Sequence, residues 1–171
     1  MRFTTLLLLV AATLFQSLPL SAEPPPPLNE DMVRNTLLSW FRQTNDHRPL
    51  EELLPYLDDQ IEMFYPDRPE PFQGKDAFAD WYRKALLRYF DETHHLEALA
   101  IRIDGDTAAA DLIVRWERRE WEPGAARSRY TASLSYQDVV FRRDPATGRL
   151  TITKKIVKKF EPTAPIFGGA E

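Results

Sequence analysis

Apolar positions along this chain change their spacing once, near residue 91. Before that point they recur every three to four residues; after it they alternate. Across residues 29 to about 44, "NEDMVRNTLLSWFRQT" sets Met32, Val33, Thr36, Leu37, Trp40 and Phe41 on one helical face, with Asn29 as N-cap and acids in the first turn. "RPLEELLPYLDD" repeats the spacing through Leu50, Leu53, Leu54 and Leu57, opened by Pro49 and weakened by Pro55, and predicts a short second helix. "IEMFY" predicts a brief strand, ended by the proline-broken loop "PDRPEPFQG". From residue 75 to about 89, Phe78, Trp81, Tyr82, Ala85, Leu86 and Tyr89 form one stripe, predicting a third helix with Gly74 as its cap.

The alternating part predicts long strands over about 93–104, 107–121, 127–143 and 150–160. Asp104-Gly105-Asp106 is a hairpin turn, "EPGAA" a looser one, and "DPATG" suits a type I turn closed by Gly148 in the left-handed conformation. Helices first and a strand meander afterwards give an α+β class, with three N-terminal helices packed on one face of an antiparallel sheet.

The first 22 residues change the picture. A single Arg2, an apolar run over 6–15 and a small-residue end at Ser21-Ala22 make a secretory signal peptide, because the apolar run is too short to span a bilayer. The expected organisation is a signal over 1–22, a proline-rich linker over 23–28, one domain over 29–162 and a tail over 163–171. Such a chain is secreted or periplasmic, with no membrane anchor once the signal is removed. The chain has no cysteine, so disulfides, thiol nucleophiles and zinc–thiolate sites are excluded. Its formal charge is −4, and one unit more negative without Arg2, which argues against a general nucleic-acid binder.

The order helix, short helix, strand, "PEPFQGKDAFADWY", then "THHLEALAIRIDGDTA" and "YQDVVFRRDPATGRLTI", resembles the nuclear transport factor 2-like superfamily and, within it, the SnoaL-like proteins. The resemblance spans about 28–160. It implies a cone-shaped α+β barrel: a strongly curved sheet wraps with the helices around a mostly apolar pocket, and cones often pair through their sheets. It also implies a spread of activities, since ketosteroid isomerase, polyketide cyclase, scytalone dehydratase and epoxide hydrolase relatives share the cone while other members bind or assemble. The chain departs from the SnoaL-like pattern at Ala98, where an Asn is common, at Leu150, where a Trp is, and at Lys155, where an Arg is.

Adjacent strand residues face opposite ways, so His94 and His95 do not converge on one metal, and His47 is remote; no metal and no cofactor is expected. By alternation His94 points into the cone with Leu96 and Ala98, and His95 points out with Glu97. Asp138 shares parity with Tyr130, Leu134, Tyr136 and Val140, a run suited to the inner face. His94 and Asp138 are therefore the candidate acid–base pair. Trp40, Tyr65, Tyr82, Trp116, Tyr130 and Tyr136 are the candidate ligand-binding residues, the tyrosines as hydroxyl donors to a ligand oxygen. Asp111, Arg115, Glu117 and Arg119 form the outer, solvated face of their strand. Ile113 and Val139 among polar neighbours suggest a convex face covered in a homodimer. Two function classes follow: an exported module that binds a small apolar molecule or mediates protein association, and a cofactor-independent isomerase, cyclase or dehydratase using the pocket His and Asp.

Overall fold

The computed structural model describes residues 25–166; the expected signal peptide lies outside them. Helix α1 (Glu30–Asn45) starts where predicted. The Asn29 side chain accepts the Met32 N–H at 2.9 Å, Glu30 and Asp31 sit at the positive end of the helix dipole, and Val33, Leu37, Trp40 and Phe41 are buried. Helix α2 (Leu50–Leu53) tightens into a 3-10 turn over Leu54–Tyr56, because Pro55 has no N–H to continue an α ladder. Strand β1 (Leu57–Phe64) begins earlier than the "IEMFY" run. Leu57 belongs to it rather than to the helix, pairing with Ile152.

A two-residue strand β2 (Phe72–Gln73), too short to leave a pattern, leads into α3 (Gly74–Ala85). Gln73, not Gly74, occupies the cap. Gly74 is the first helical residue at φ +77, a conformation that favours glycine, and a Cβ there would touch the Asp59 carbonyl at 3.4 Å. Helix α3 ends at Ala85 rather than near Tyr89, so Tyr89 opens the next strand.

Strands β3 (Tyr89–Asp104), β4 (Thr107–Glu120), β5 (Arg129–Arg143) and β6 (Leu150–Pro162) complete a six-stranded sheet of order β2-β1-β6-β5-β4-β3. All pairs are antiparallel except β1–β6, which is parallel because the helical segment and the meander separate the two strands. Bulges in β3 and β6 bend the sheet around α1 and α3. The core lies in the concavity: Val33, Leu37, Phe41, Leu53, Ile61, Met63, Phe78, Val114, Val139, Phe141 and Ile152 are all nearly inaccessible.

The inner face of β5 is Ser133, Ser135, Gln137, Val139 and Phe141. This reverses the expected parity. Tyr130, Tyr136 and Asp138 lie on the outer face, and Val139 is inside the core rather than on the convex surface, leaving Ile113 there, half-buried. A bulge at Glu97 likewise re-phases β3: Leu99 and Ile101 pack on the core in place of Ala98, which pairs with the outer Ile113. Glu117 has outer parity yet is fully buried. The tail crosses it, with the Ile166 N–H donating to its Oε1 at 2.7 Å and Arg115 donating to the Ala164 carbonyl at 3.2 Å. At the other end the proline segment docks on the β5–β6 turn, where Arg143 donates to the Pro26 carbonyl at 2.8 Å.

Candidate functional site

The cone encloses a cavity of about 70 Å³ between α1, α3 and the inner sheet face. Its walls are largely aromatic: Trp40 from α1, Phe78, Trp81 and Tyr82 from α3, Tyr65 after β1, Trp116 from β4 and Phe160 from β6. It opens toward a groove of about 630 Å³ that shares Tyr65, Trp81, Tyr89, Trp116 and Phe160.

His94 lines this cavity, held between the Phe41 ring (centroids 5.2 Å apart, planes 4° apart) and the Trp116 ring (5.7 Å, 17°). Asn45, at the end of α1, fixes its tautomer. The Asn45 Oδ1 accepts the His94 backbone N–H at 3.0 Å, which identifies that atom as the oxygen, and the same oxygen lies 2.6 Å from His94 Nδ1. Nδ1 therefore carries the hydrogen and donates. Nε2 keeps its lone pair, and it forms no hydrogen bond among the described residues. Burial, then the positive charges of Lys155 and Arg118, pull the His94 pKa down to about 3, so the ring is neutral.

A carboxylate and an amine line the cavity beside His94. Glu92, two residues before His94, accepts from the Trp116 indole at 2.8 Å and lies 2.9 Å from His47 Nε2. Tyr89, Glu92 and His94 all face inward because Asp91, at φ +52, forms a bulge: without the extra residue, Tyr89 and Glu92 would point to opposite sides. Lys155 on β6 is 9% exposed, and its Nζ stands 5.9 Å from the centre of the Tyr65 ring with no hydrogen bond or ion pair among the described residues. Burial lowers its pKa to about 8, against an opposing pull from Glu92. Gln137 donates to Ser135 Oγ at 2.9 Å, and its own Oε1 is buried without a partner.

Of the sequence candidates, the structure brings His94, Trp40, Tyr65, Tyr82 and Trp116 to one cavity. The Tyr82 hydroxyl is used internally, donating to the Arg48 carbonyl at 2.9 Å, and burial pushes its pKa up to about 12. The Tyr65 hydroxyl, also raised by burial, forms no hydrogen bond among the described residues. Asp138, Tyr130 and Tyr136 lie elsewhere. Asp138 accepts from Lys158 at 2.7 Å, Tyr130 donates to Glu117 at 3.0 Å and Tyr136 donates to Glu161 at 2.7 Å, all on the outer face. The polar strip Ser133-x-Ser135-x-Gln137 makes the true inner face of β5 look solvated in the sequence, so alternation points to the more apolar outer face instead. His95 also points outward. Sequence reasoning misses Asn45, Glu92 and Gln137 and singles out Lys155 only as a departure from the family pattern. Glu92 had a signal, the even spacing to His94; Lys155 had another, its place between Ile152 and Val157 on a buried strand. Asn45 reaches the site only through the crossing of α1 over β3. Among the described residues no three His, Asp or Glu side chains gather to hold a metal ion.

The comparisons agree with this architecture. Among solved structures, a ketosteroid isomerase-like protein from Erwinia carotovora atroseptica matches with 17% identity and a TM-score of 0.61, over 81% of this chain and 100% of that one. Hexachlorocyclohexane dehydrochlorinase LinA-type3 from Novosphingobium barchaimii matches with 13% identity and a TM-score of 0.64, over 82% and 94%. A cystatin-like protein of unknown function from Nostoc punctiforme matches with 10% identity and a TM-score of 0.63, over 84% and 98%. At these identities the likeness is one of fold. No curated protein matches the sequence. The model of the SnoaL-like domain matches residues 30–155, most of the chain, and the protein therefore belongs to the SnoaL-like family of the nuclear transport factor 2-like superfamily.

Proposed function

We propose that this protein is an exported, non-catalytic binding module for a small, flat, mostly apolar molecule. The ligand presents an anionic or carbonyl oxygen to Lys155 and a hydrogen-bond donor to the His94 lone pair. The observation that carries the reading is the pairing of His94 with Asn45 rather than with an acid. A general base must become a cation as it takes the proton; burial and the nearby Lys155 and Arg118 oppose that charge, and a neutral amide partner supplies no negative charge to offset it. The same arrangement makes Nε2 a fixed hydrogen-bond acceptor. Lys155, buried and without an ion-pair partner among the described residues, supports an oxygen-bearing ligand, because a buried cation is costly until something compensates it. The cavity of about 70 Å³ takes the ligand's head, and the groove takes the rest.

The second reading is a proton-transfer enzyme. Lys155 favours it: with a pKa of about 8, part of its population is neutral near physiological pH and able to accept a proton. One experiment separates the two. The protein is titrated with a panel of flat aromatic carboxylates and their neutral amides, reading tryptophan fluorescence from Trp40, Trp81 and Trp116 while ligand integrity is followed by NMR. We expect saturable quenching with every ligand recovered unchanged, and a loss of carboxylate affinity of ~10-fold or more in Lys155→Met, the weight of a charge-assisted hydrogen bond. Conversion of any bound compound by the parent, abolished by the same substitution, overturns the binding-only reading.

A further inference from the structure

The described residues hold six buried side-chain polar atoms without a hydrogen-bond partner, and five of them belong to residues that line the cavity and groove. Four of these sit together: Arg118 Nε and Nη1, Thr131 Oγ1 and Ser133 Oγ. Their grouping follows from the sheet. Arg118 on β4 is paired with Thr131 on β5, and Trp116 with Ser133, so all four side chains share the inner face at the groove end. Buried polar atoms in native proteins are nearly always bonded, because leaving one unbonded forfeits its hydration without return. A cluster of them beside an open groove is a set of donors that a bound oxyanion would satisfy.

The charge around the cluster says what that partner is. Arg118 is 14% exposed at its side chain and lies over the Trp116 ring, 3.5 Å from the centroid. Among the described residues its ion-pair partner is Glu120, at 3.8 Å, with Glu92 a further acid in its surroundings. Glu120 is already engaged by Arg88 at 2.5 Å and approached by Arg129 at 3.6 Å. The Glu120 carboxylate is thus shared by three guanidinium groups, of which Arg88 also reaches Glu122 at 3.7 Å. With Arg68 and Lys84 also on the groove and Asp67 its remaining acid, positive charge prevails there, although the whole chain is acidic.

We propose that Arg118, Thr131 and Ser133 form an oxyanion-binding subsite at the mouth of the cone, separate from the His94–Lys155 cavity and taking a carboxylate or phosphoryl group. Arg118 supplies the charge and two N–H donors, and the two hydroxyls rotate to donate from the neighbouring strand. Trp116, which lines both spaces, stacks under the guanidinium and holds it in place. Occupied at both sites, the groove and cavity take a molecule with an anionic end outside and a flat apolar end within.

The test uses the whole protein with small probes that contain no apolar part. Arginine Nε–H resonances are followed by NMR during titration with sodium phosphate and, separately, sodium acetate, at constant ionic strength, with sodium chloride as control. The Arg118 signal is assigned by its absence in Arg118→Gln. We expect that signal to shift saturably with at least one oxyanion and not with chloride. Thr131→Val and Ser133→Ala should each weaken binding by ~3- to 10-fold, the weight of one hydrogen bond. Whichever probe binds more tightly identifies the oxyanion. A shift that chloride reproduces, or that both hydroxyl substitutions leave unchanged, overturns the proposal, and so does no shift up to ~50 mM, a concentration far above that at which a charge-assisted site of this kind fills. Thr131→Val and Ser133→Ala keep Arg118 in place, so the result does not depend on the fold surviving its removal. The titration reports on neither His94 nor Lys155; its failure leaves the inner-cavity reading standing, and a failed aromatic-ligand panel leaves this one standing.

Discussion

His94 and Lys155 give the site a pH signature opposite to that of a base held in a salt bridge, whose pKa is raised. The folded pKa of His94, about 3, lies below its ordinary value of 6.5, so between those values the unfolded chain binds the extra proton and stability falls as the medium is acidified. We expect the His94 ring signals not to titrate above pH 5 by NMR; a midpoint near 6.5 would refute its neutral, buried state. Replacing the amide partner by an acid supplies the missing negative charge, and Asn45→Asp should move the titration up toward the ordinary histidine range. Lys155 works in the same direction at the other end of the scale. Its folded pKa of about 8, below 10.5, means that the native protein carries an unfavourable buried charge at pH 7 and becomes more stable as pH rises from 8 to 10.5. Lys155→Met should raise stability at pH 7, by up to ~3 kcal/mol before any packing loss, and the gap to the parent should close by about pH 10.5. Denaturant titrations at both pH values measure this; a destabilised variant at pH 7 would show that Lys155 is held by interactions stronger than its desolvation.

At the scale of elements, the helices were legible and the faces of the strands only partly so. The α1 stripe was readable because burial of Val33, Leu37, Trp40 and Phe41 against the sheet demands helical spacing, and Asn29 supplies a cap with a distinct chemistry. Strand β5 defeats the alternation rule because that rule assumes an apolar interior. Here the interior ends in a polar wall of Ser133, Ser135 and Gln137, while Leu134, Tyr136 and Val140 half-cover the outside. The bulges at Asp91 and Glu97 were invisible for another reason: each inserts a single residue without a glycine to mark it. The Asp91 bulge is what gathers Tyr89, Glu92 and His94, and it depends on a left-handed residue. Aspartate tolerates that conformation, while a β-branched side chain does not, so Asp91→Val should cost ~1–2 kcal/mol and Asp91→Gly should be neutral or stabilising. Its ion pair with Arg119, on a side chain 69% exposed, adds little to that difference. Equal stabilities of the two variants by chemical denaturation would mean that the bulge relaxes.

Across the whole molecule the acidic balance and the basic mouth pull in different directions, which composition alone conceals. The fold class was legible because a single switch of period divides helices from meander. The charge at the mouth was not, since Arg68, Lys84, Arg88, Arg118 and Arg129 come from four separate stretches of chain and meet only when the sheet closes on α3. Clefts lined by one sign of charge concentrate ligands of the other sign, and that attraction is screened over ~8 Å at physiological salt. An anionic ligand approaching from solvent should feel the groove, while one already seated on Arg118 or Lys155 is shielded from salt by burial. Raising sodium chloride from ~20 to ~500 mM, which shortens the Debye length severalfold, should therefore slow association of an aromatic carboxylate by several-fold and leave its dissociation rate nearly unchanged. The corresponding amide, with the same ring and no charge, should show neither effect. Stopped-flow tryptophan fluorescence measures both rates, and an equal salt response of acid and amide would exclude steering by the groove.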